Sequence, residues 1–366
     1  MAKSGAASLR KLWLNVHLWI GIGLGLLIVP IAISGALLVW HDHIDALVNP
    51  ARYAVSGTKV ELPPSAYLTS AARALPSNAA PVAVRYPESG GWPLVVSAAG
   101  RINVYLDPPT ARVLEVVNFR SSFIGVLHRF HENLTIPEYS GRAVVGWLGV
   151  GMLISSLTGI YLWWPRNSAF TRGLRWRRSP ETTTNLHHLL GFWISIPLAV
   201  VSATGIYLGF PQQGRELLSS MMAMSPRPSG APLARQTTLT PDSALEKARA
   251  SEPGAQPAAL FLATQLQGGA SPLWRVQLRK TNSDETVTVL VDDQSGKVTP
   301  MAPALTGDRT AQWIRWIHEG SRGGPVWQTI VFLCGAFPPV FAVTGLIMWL
   351  RRRPARKGAA QLRPVE

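Results

Sequence analysis

Four uninterrupted apolar runs dominate the chain: Leu12 to Trp40, Val144 to Trp164, Leu189 to Phe210 and Val326 to Leu350. Each reaches the roughly 20 residues that an α-helix needs to cross a hydrocarbon layer of about 30 Å. The pattern therefore predicts a four-helix transmembrane bundle with spans at 12–40, 144–164, 189–210 and 326–350. Between the first two spans (41–143) and the last two (211–325) the apolar positions change to a period of two. Arg101 to Leu114 and Val287 to Val298 each read as a strand, a turn opened by Asp, and a second strand. Pro81 to Tyr86, Pro93 to Ser97, Ala259 to Ala263 and Leu273 to Leu278 read as further strands. Pro241 to Ala250 reads as a short helix with Thr240 as its N-cap. The expectation is two small α+β lobes, one per insertion.

Charge sets the orientation. Lys3, Arg10 and Lys11 precede the first run, Arg166, Arg172, Arg175, Arg177 and Arg178 follow the second, and Arg351, Arg352, Arg353, Arg356 and Lys357 follow the fourth. The positive-inside rule then makes the N-terminus (1–11), the middle loop (165–188) and the tail (351–366) cytoplasmic, with both lobes on the outer side of the membrane. The first run exceeds the 7–15 residues of a signal-peptide core and has no small-x-small site before His41, so it reads as an uncleaved span. Hydrophobic residues are 47% and charged residues 15% of the chain, as a membrane protein requires. The net charge of +15 is accounted for by clusters at the membrane ends, without the interleaved aromatic platform of a nucleic-acid binder, so no nucleic-acid partner is expected. Most tryptophans fall toward the run ends, where indole favours the lipid interface.

The spans repeat. His17 precedes Gly35 by 18 residues and His187 precedes Gly205 by 18, with Gly21 and Gly191 four residues after each histidine. Eighteen residues are five helical turns, so each histidine shares a face with its later glycine. Ser34-Gly35, Thr158-Gly159, Thr204-Gly205 and Thr344-Gly345 give one hydroxyl–glycine pair to each span. Each half thus reads as one duplicated unit: span, lobe, span.

The single cysteine, Cys334, excludes a disulfide framework, cysteine-based zinc or iron–sulfur sites, and covalent haem attachment. Metal chemistry must rest on histidine or carboxylate, and eight histidines are present. Two neutral imidazoles from different helices can hold a haem iron from opposite faces, with small residues where the ring lies close. The repeat pairs His17 with His187 at the cytoplasmic end, leaving His188 as the unmatched neighbour. At the outer end Leu127-His128-Arg129 and Ile317-His318-Glu319 precede the second and fourth spans, so His128 pairs with His318. His41 competes as an outer ligand, and His131, one turn from His128, could replace it. Arg129, Arg315 and Arg322 lie near these histidines and could meet haem propionates or an anionic substrate. No dinucleotide or flavin motif follows a strand, so electrons would come from a quinol pool or a cytoplasmic reductase.

At these residues the sequence resembles the PepSY-associated transmembrane helix family, which includes bacterial inner-membrane ferric-siderophore reductases of the FoxB type. The matching stretches are His17 to Leu24 with Ser34 to Val39, Leu127 to Arg129, Gly141 to Arg166, Leu186 to Gly191, and His318 to Gly320 through Thr344-Gly345-Leu346. The resemblance implies PepSY-type lobes, one or two b-type haems, and release of Fe(II) from ferric siderophores outside the membrane. Two other readings compete: a haem-free scaffold or regulator whose lobes bind a periplasmic partner, and a permease for iron chelates. Spans free of internal charge argue against a polar translocation path.

Overall fold

The computed structural model describes residues 2–165, 171, 174, 179–226, 231–265, 270–280 and 286–360. The arginines at 166, 172, 175, 177 and 178, on which part of the orientation argument rests, lie outside the described residues. Contacts divide the chain into a helical unit (Met1–His41, Val126–Met224, Leu305–Glu366) and a sheet unit (Asp42–Gly125, Ser225–Ala304).

In the helical unit, α1 (Ala2–Trp19), a single π-helical turn (Ile20–Leu24) and α2 (Gly25–Val39) form the first span. Two glycines in the turn and a third just after it make that wider winding cheap, since Gly21, Gly23 and Gly25 face open space. Helix α3 (His41–Val48) leaves this span and α4 (Pro64–Ala74) belongs to the sheet unit, as does the start of α5 (Phe123–Asn133). The other spans are α6 (Glu138–Trp163), α7 (Thr182–Gly209) and, after α8 (Pro211–Met221), α9 (Pro241–Ser251) and α10 (Thr306–Glu319), the long α11 (Gly324–Ala360). Among the described residues four stretches are long and apolar enough to cross a membrane: Ser8–Val39, Ser140–Trp163, Thr182–Gly209 and Gly324–Arg351. The third begins seven residues before the apolar run because its first turn, Thr182 to Asn185, is polar. His187 and His188 consequently stand inside the helix and not in a loop. Glycine sets the spacing where α6 meets α7: a Cβ on Gly209 would lie 2.7 Å from the Cα of Gly146, so a side chain there would force the helices apart.

The two insertions do not form separate lobes. Strands β1 (Pro81–Arg85), β2 (Leu94–Ala98), β3 (Ile102–Leu106) and β4 (Val113–Asn118) come from the first, and β5 (Gln256–Thr264), β6 (Leu273–Arg279), β7 (Thr286–Asp292) and β8 (Val298–Pro300) from the second. They make one eight-stranded antiparallel sheet in the order β4-β3-β2-β1-β5-β6-β7-β8. The seam is β1 on β5, with Ala83, Val84 and Arg85 opposite Phe261, Leu260 and Ala259. The physical reason is that each insertion alone would leave β1 or β5 as an exposed edge of unpaired amides, and each satisfies the other. Period-two alternation sends Val84, Val96, Val104, Leu260, Val276, Val289 and their neighbours to one face, where they pack with Tyr67 and Leu68 of α4 and Ala244 and Leu245 of α9.

Two buried aspartates tie the chain ahead of each helix to this core. Asp107 accepts from the amide and hydroxyl of Ser56, both at 2.6 Å, and from Thr110. Asp293 accepts from the amides of Thr238 (2.6 Å) and Leu239 (3.1 Å) and from Trp274 Nε1 (2.8 Å). The N-termini of α4 and α9 are joined by Asp242, which accepts from the amide and hydroxyl of Ser65 at 2.8 and 2.6 Å. These bonds repay the cost of removing carboxylates from water.

Candidate functional site: two facing histidine pairs

The helical unit brings four histidines together as two pairs. At the end of the bundle where the chain termini lie, the rings of His17 (α1) and His187 (α7) have centroids 6.4 Å apart with planes at 85°. At the end from which the insertions leave, His131 (α5) and His318 (α10) have centroids 6.2 Å apart with planes at 39°. His187 and Gly205, which His318 touches, are 18 residues apart on α7, so the pairs are separated by about 27 Å along that helix, close to a hydrocarbon thickness.

Each histidine is seated on one hydroxyl–glycine pair. His17 Nδ1 lies 3.0 Å from Thr158 Oγ1 and 3.1 Å from the Ser155 carbonyl. His187 Nδ1 lies 2.8 Å from Thr344 Oγ1. His131 Nδ1 is 2.9 Å from the Ile31 carbonyl and 3.2 Å from Ser34 Oγ. His318 Nδ1 is 3.0 Å from the Val201 carbonyl and 3.3 Å from Thr204 Oγ1. The glycine that follows each hydroxyl makes room for the ring: a Cβ would stand 2.7 Å from His131 at Gly35, 2.9 Å from His318 at Gly205, 3.4 Å from His17 at Gly159 and 3.6 Å from His187 at Gly345. Ser34, Thr158 and Thr344 are themselves buried, which a polar group tolerates only with partners.

These bonds settle the tautomer. Ser34, Thr158, Thr204 and Thr344 each donate their one hydroxyl proton to a carbonyl in the preceding turn of their own helix, at 2.7–2.9 Å. They can therefore only accept from the histidine, and the carbonyls can only accept as well. Nδ1 carries the proton on His17, His131 and His318, where a backbone carbonyl lies within 3.1 Å, and Nε2 of those rings presents its lone pair; His187 Nδ1 meets the Thr344 hydroxyl in the equivalent place. Among the described residues Nε2 of none of the four makes a hydrogen bond. Burial, with smaller contributions from neighbouring charges, lowers the pKa of His131; burial first and then His131 lower that of His318 to about 4. The outer pair is thus held in the neutral form that binds metals.

The arrangement fits a ligand between the rings. Two imidazoles on opposite sides of one metal, each nitrogen about 2 Å from it and each ring centre about 1 Å further back, have centres roughly 6 Å apart. Among the described residues no three histidine, cysteine or carboxylate side chains gather as metal ligands, so each site offers two imidazoles whose centres are 6.2–6.4 Å apart. A cofactor occupying the remaining coordination positions with its own atoms suits that donor set, and haem is of this kind. Gly21 and Gly191, one turn beyond His17 and His187, face open space that a flat ring would need.

The other sequence candidates fall elsewhere. The structure sets His131, and not His128, opposite His318; His128 is partly exposed and pairs with Glu132 at 3.6 Å. The reason is where α5 ends. Leu134 turns left-handed (φ 56°) three residues after His131, as Gly320 does (φ 74°) two residues after His318, so helix ends align His131 with His318. A signal existed in the sequence: His131 precedes Thr158 by 27 residues and His318 precedes Thr344 by 26, whereas His128 stands 30 away. His41 is exposed and bonds the Leu38 carbonyl at 2.9 Å, and His188 lies beside His187 with centroids 6.4 Å apart. Arg129 is exposed, Arg315 pairs with Glu319 at 3.1 Å, and Arg322 stacks 4.5 Å over Trp316. The hydroxyl–glycine pairs receive the imidazoles.

Fold and site together define a multi-pass helical membrane protein with a two-donor histidine site at each end of its bundle. The model of the PepSY-associated TM region matches residues 14–352, and the chain belongs to that family. No curated protein matches the chain.

Proposed function

We propose that the protein is a transmembrane one-electron reductase that holds b-type haem at both histidine pairs and reduces ferric siderophores on the outer side of a bacterial inner membrane, releasing Fe(II). The observation that carries this reading is the doubled geometry: two facing pairs, each with Nε2 unengaged, near opposite ends of one bundle. Bound haem would supply a one-electron Fe(III)/Fe(II) couple at each end. His17 and His187 would hold one group and His131 and His318 the other. The chain's own part is to fix both rings of each pair through Nδ1 and to keep the outer pair neutral, which orients the ligands and raises their basicity.

The two insertions are read as duplicated PepSY halves facing the periplasm, with both termini in the cytoplasm, from the distribution of basic residues. Electrons would enter from a quinol pool or a cytoplasmic reductase, since no nucleotide- or flavin-binding motif is present. The test is the absorption spectrum of the detergent-purified protein before and after dithionite, with haem counted per chain. Two low-spin b-type groups, one lost in His17→Ala or His187→Ala and the other in His131→Ala or His318→Ala, are expected. A folded, colourless protein would remove the reading and favour a binding scaffold.

A further inference from the structure

The sheet unit carries a cationic site that the histidine pairs do not use. Helices α4 and α9 cover one face of the sheet; the alternate residues point to the other face. On that open face Phe261 of β5 pairs directly with Arg275 of β6, and Arg85 of β1 lies diagonally across the central seam, opposite Ala259. The Arg275 guanidinium stacks 3.8 Å from the Phe261 ring centre, and the Arg85 guanidinium lies 5.8 Å from the same centre. Both arginines are exposed. Among the described residues neither has a carboxylate partner. The contrast with other arginines of this unit is informative: Arg52, on the turn before α4, is bound to Asp45 at 2.6 Å and Glu115 at 2.9 Å, and Arg279 lies 3.7 Å from Glu88.

Two like charges flanking one ring, with no acid between them, repel each other. Burial, and then the charge of Arg85, lower the pKa of Arg275. A stacked guanidinium spends its flat face on the ring and leaves its in-plane N–H edge free for a bidentate oxyanion. The phenyl ring, stacked by Arg275, adds apolar surface beside the two guanidinium groups for the ring of a flat partner. We propose that Arg85, Phe261 and Arg275 form a clamp for a planar aromatic anion, a carboxylate or phenolate attached to an aryl ring. This deepens the reductase reading and rests on it for one thing only, the assignment of that anion as the acidic arm of a ferric chelate.

The test is equilibrium dialysis of the full-length, detergent-purified protein against salicylate, cyclohexanecarboxylate and inorganic phosphate at low ionic strength. Salicylate is expected to bind best. Arg85→Gln, Arg275→Gln and Arg275→Lys are each expected to weaken it by roughly tenfold or more, because a charge-assisted bond or the stacked fork is lost. Phe261→Leu is expected to erase the preference for salicylate over cyclohexanecarboxylate while leaving anion binding. Unchanged circular dichroism in each variant separates loss of binding from loss of fold. Absent salicylate binding, equal binding by all the variants, or phosphate binding as well as salicylate would overturn the clamp. Haem is measured on the same samples. A haem-free preparation that binds salicylate through these arginines keeps the clamp and removes the reductase reading; a haem-replete one that does not bind removes the clamp alone.

Discussion

The four glycines under the histidines offer an internally controlled experiment. At Gly35 an added methyl would sit 2.7 Å from Cε1 and 3.2 Å from Nδ1 of His131. Carbon atoms in contact prefer about 3.5–4.0 Å, so the ring must retreat by roughly 0.8 Å. His131 cannot do so freely, since Nδ1 is fixed at 2.9 Å to the Ile31 carbonyl on the same helix as the new methyl. Metal–ligand distances tolerate only about 0.2 Å, so Gly35→Ala is expected to displace the outer ligand out of range. Over-packing of this kind costs about 1–3 kcal/mol, which corresponds to roughly a five- to 150-fold loss of affinity at that site. At Gly345 the same methyl would stand 3.6 Å from His187, ordinary contact, and Gly345→Ala is expected to be silent. Gly205→Ala, at 2.9 Å, should resemble Gly35→Ala, and Gly159→Ala, at 3.4 Å, should resemble Gly345→Ala. Haem per chain and the dithionite difference spectrum report occupancy, and thermal unfolding reports over-packing without any cofactor. If Gly345→Ala loses its haem while Gly35→Ala keeps both, the reasoning from ring contact to ligation is refuted.

Thr344→Val removes the hydrogen-bond acceptor described for His187 and should weaken the inner site by about 10–100-fold, whereas Thr158→Val leaves His17 the Ser155 carbonyl and should cost less, as read by haem retention. His131→Ala should abolish the outer signal and His128→Ala should leave it; equal loss in both would reject the helix-end alignment. Inner ring planes at 85° and outer planes at 39° should give two distinct low-spin signals in electron paramagnetic resonance, the more anisotropic disappearing in His17→Ala. Burial alone would raise the pKa of Asp107, but the hydrogen bonds from Ser56 and Thr110 outweigh it and the group is held below the ordinary carboxylate value. Its contribution to sheet stability is therefore full above about pH 4 and lost as pH falls through the lower folded value. Asp107→Asn should flatten that acid limb in circular dichroism, and an unaltered limb would count against it.

The sequence by itself determined the spans, because about 20 apolar residues in a row have no other stable solution than a membrane helix. It also determined the inner pair, since His17 and His187 hold equivalent places in the repeat at the ends of their spans, where position in the repeat fixes position in space. The hydroxyl–glycine pairs were equally legible as a repeated feature. Their partners were not: what a glycine makes room for is a property of the neighbouring helix, and only the packed bundle set an imidazole on each. The outer pair failed for the same reason. His128 and His131 are one turn apart on a short helix outside the spans, and the left-handed residue that ends α5 decides which of them arrives at Gly35. The sheet shows the limit most plainly. Alternation of apolar residues predicted its strands, yet the β1–β5 seam joins residues some 175 positions apart by backbone hydrogen bonds, which carry no side-chain signature. Strand edges are chemically alike in sequence, so the joining of two insertions into one sheet, and with it the meeting of Arg85, Phe261 and Arg275, was decided by the tertiary structure alone.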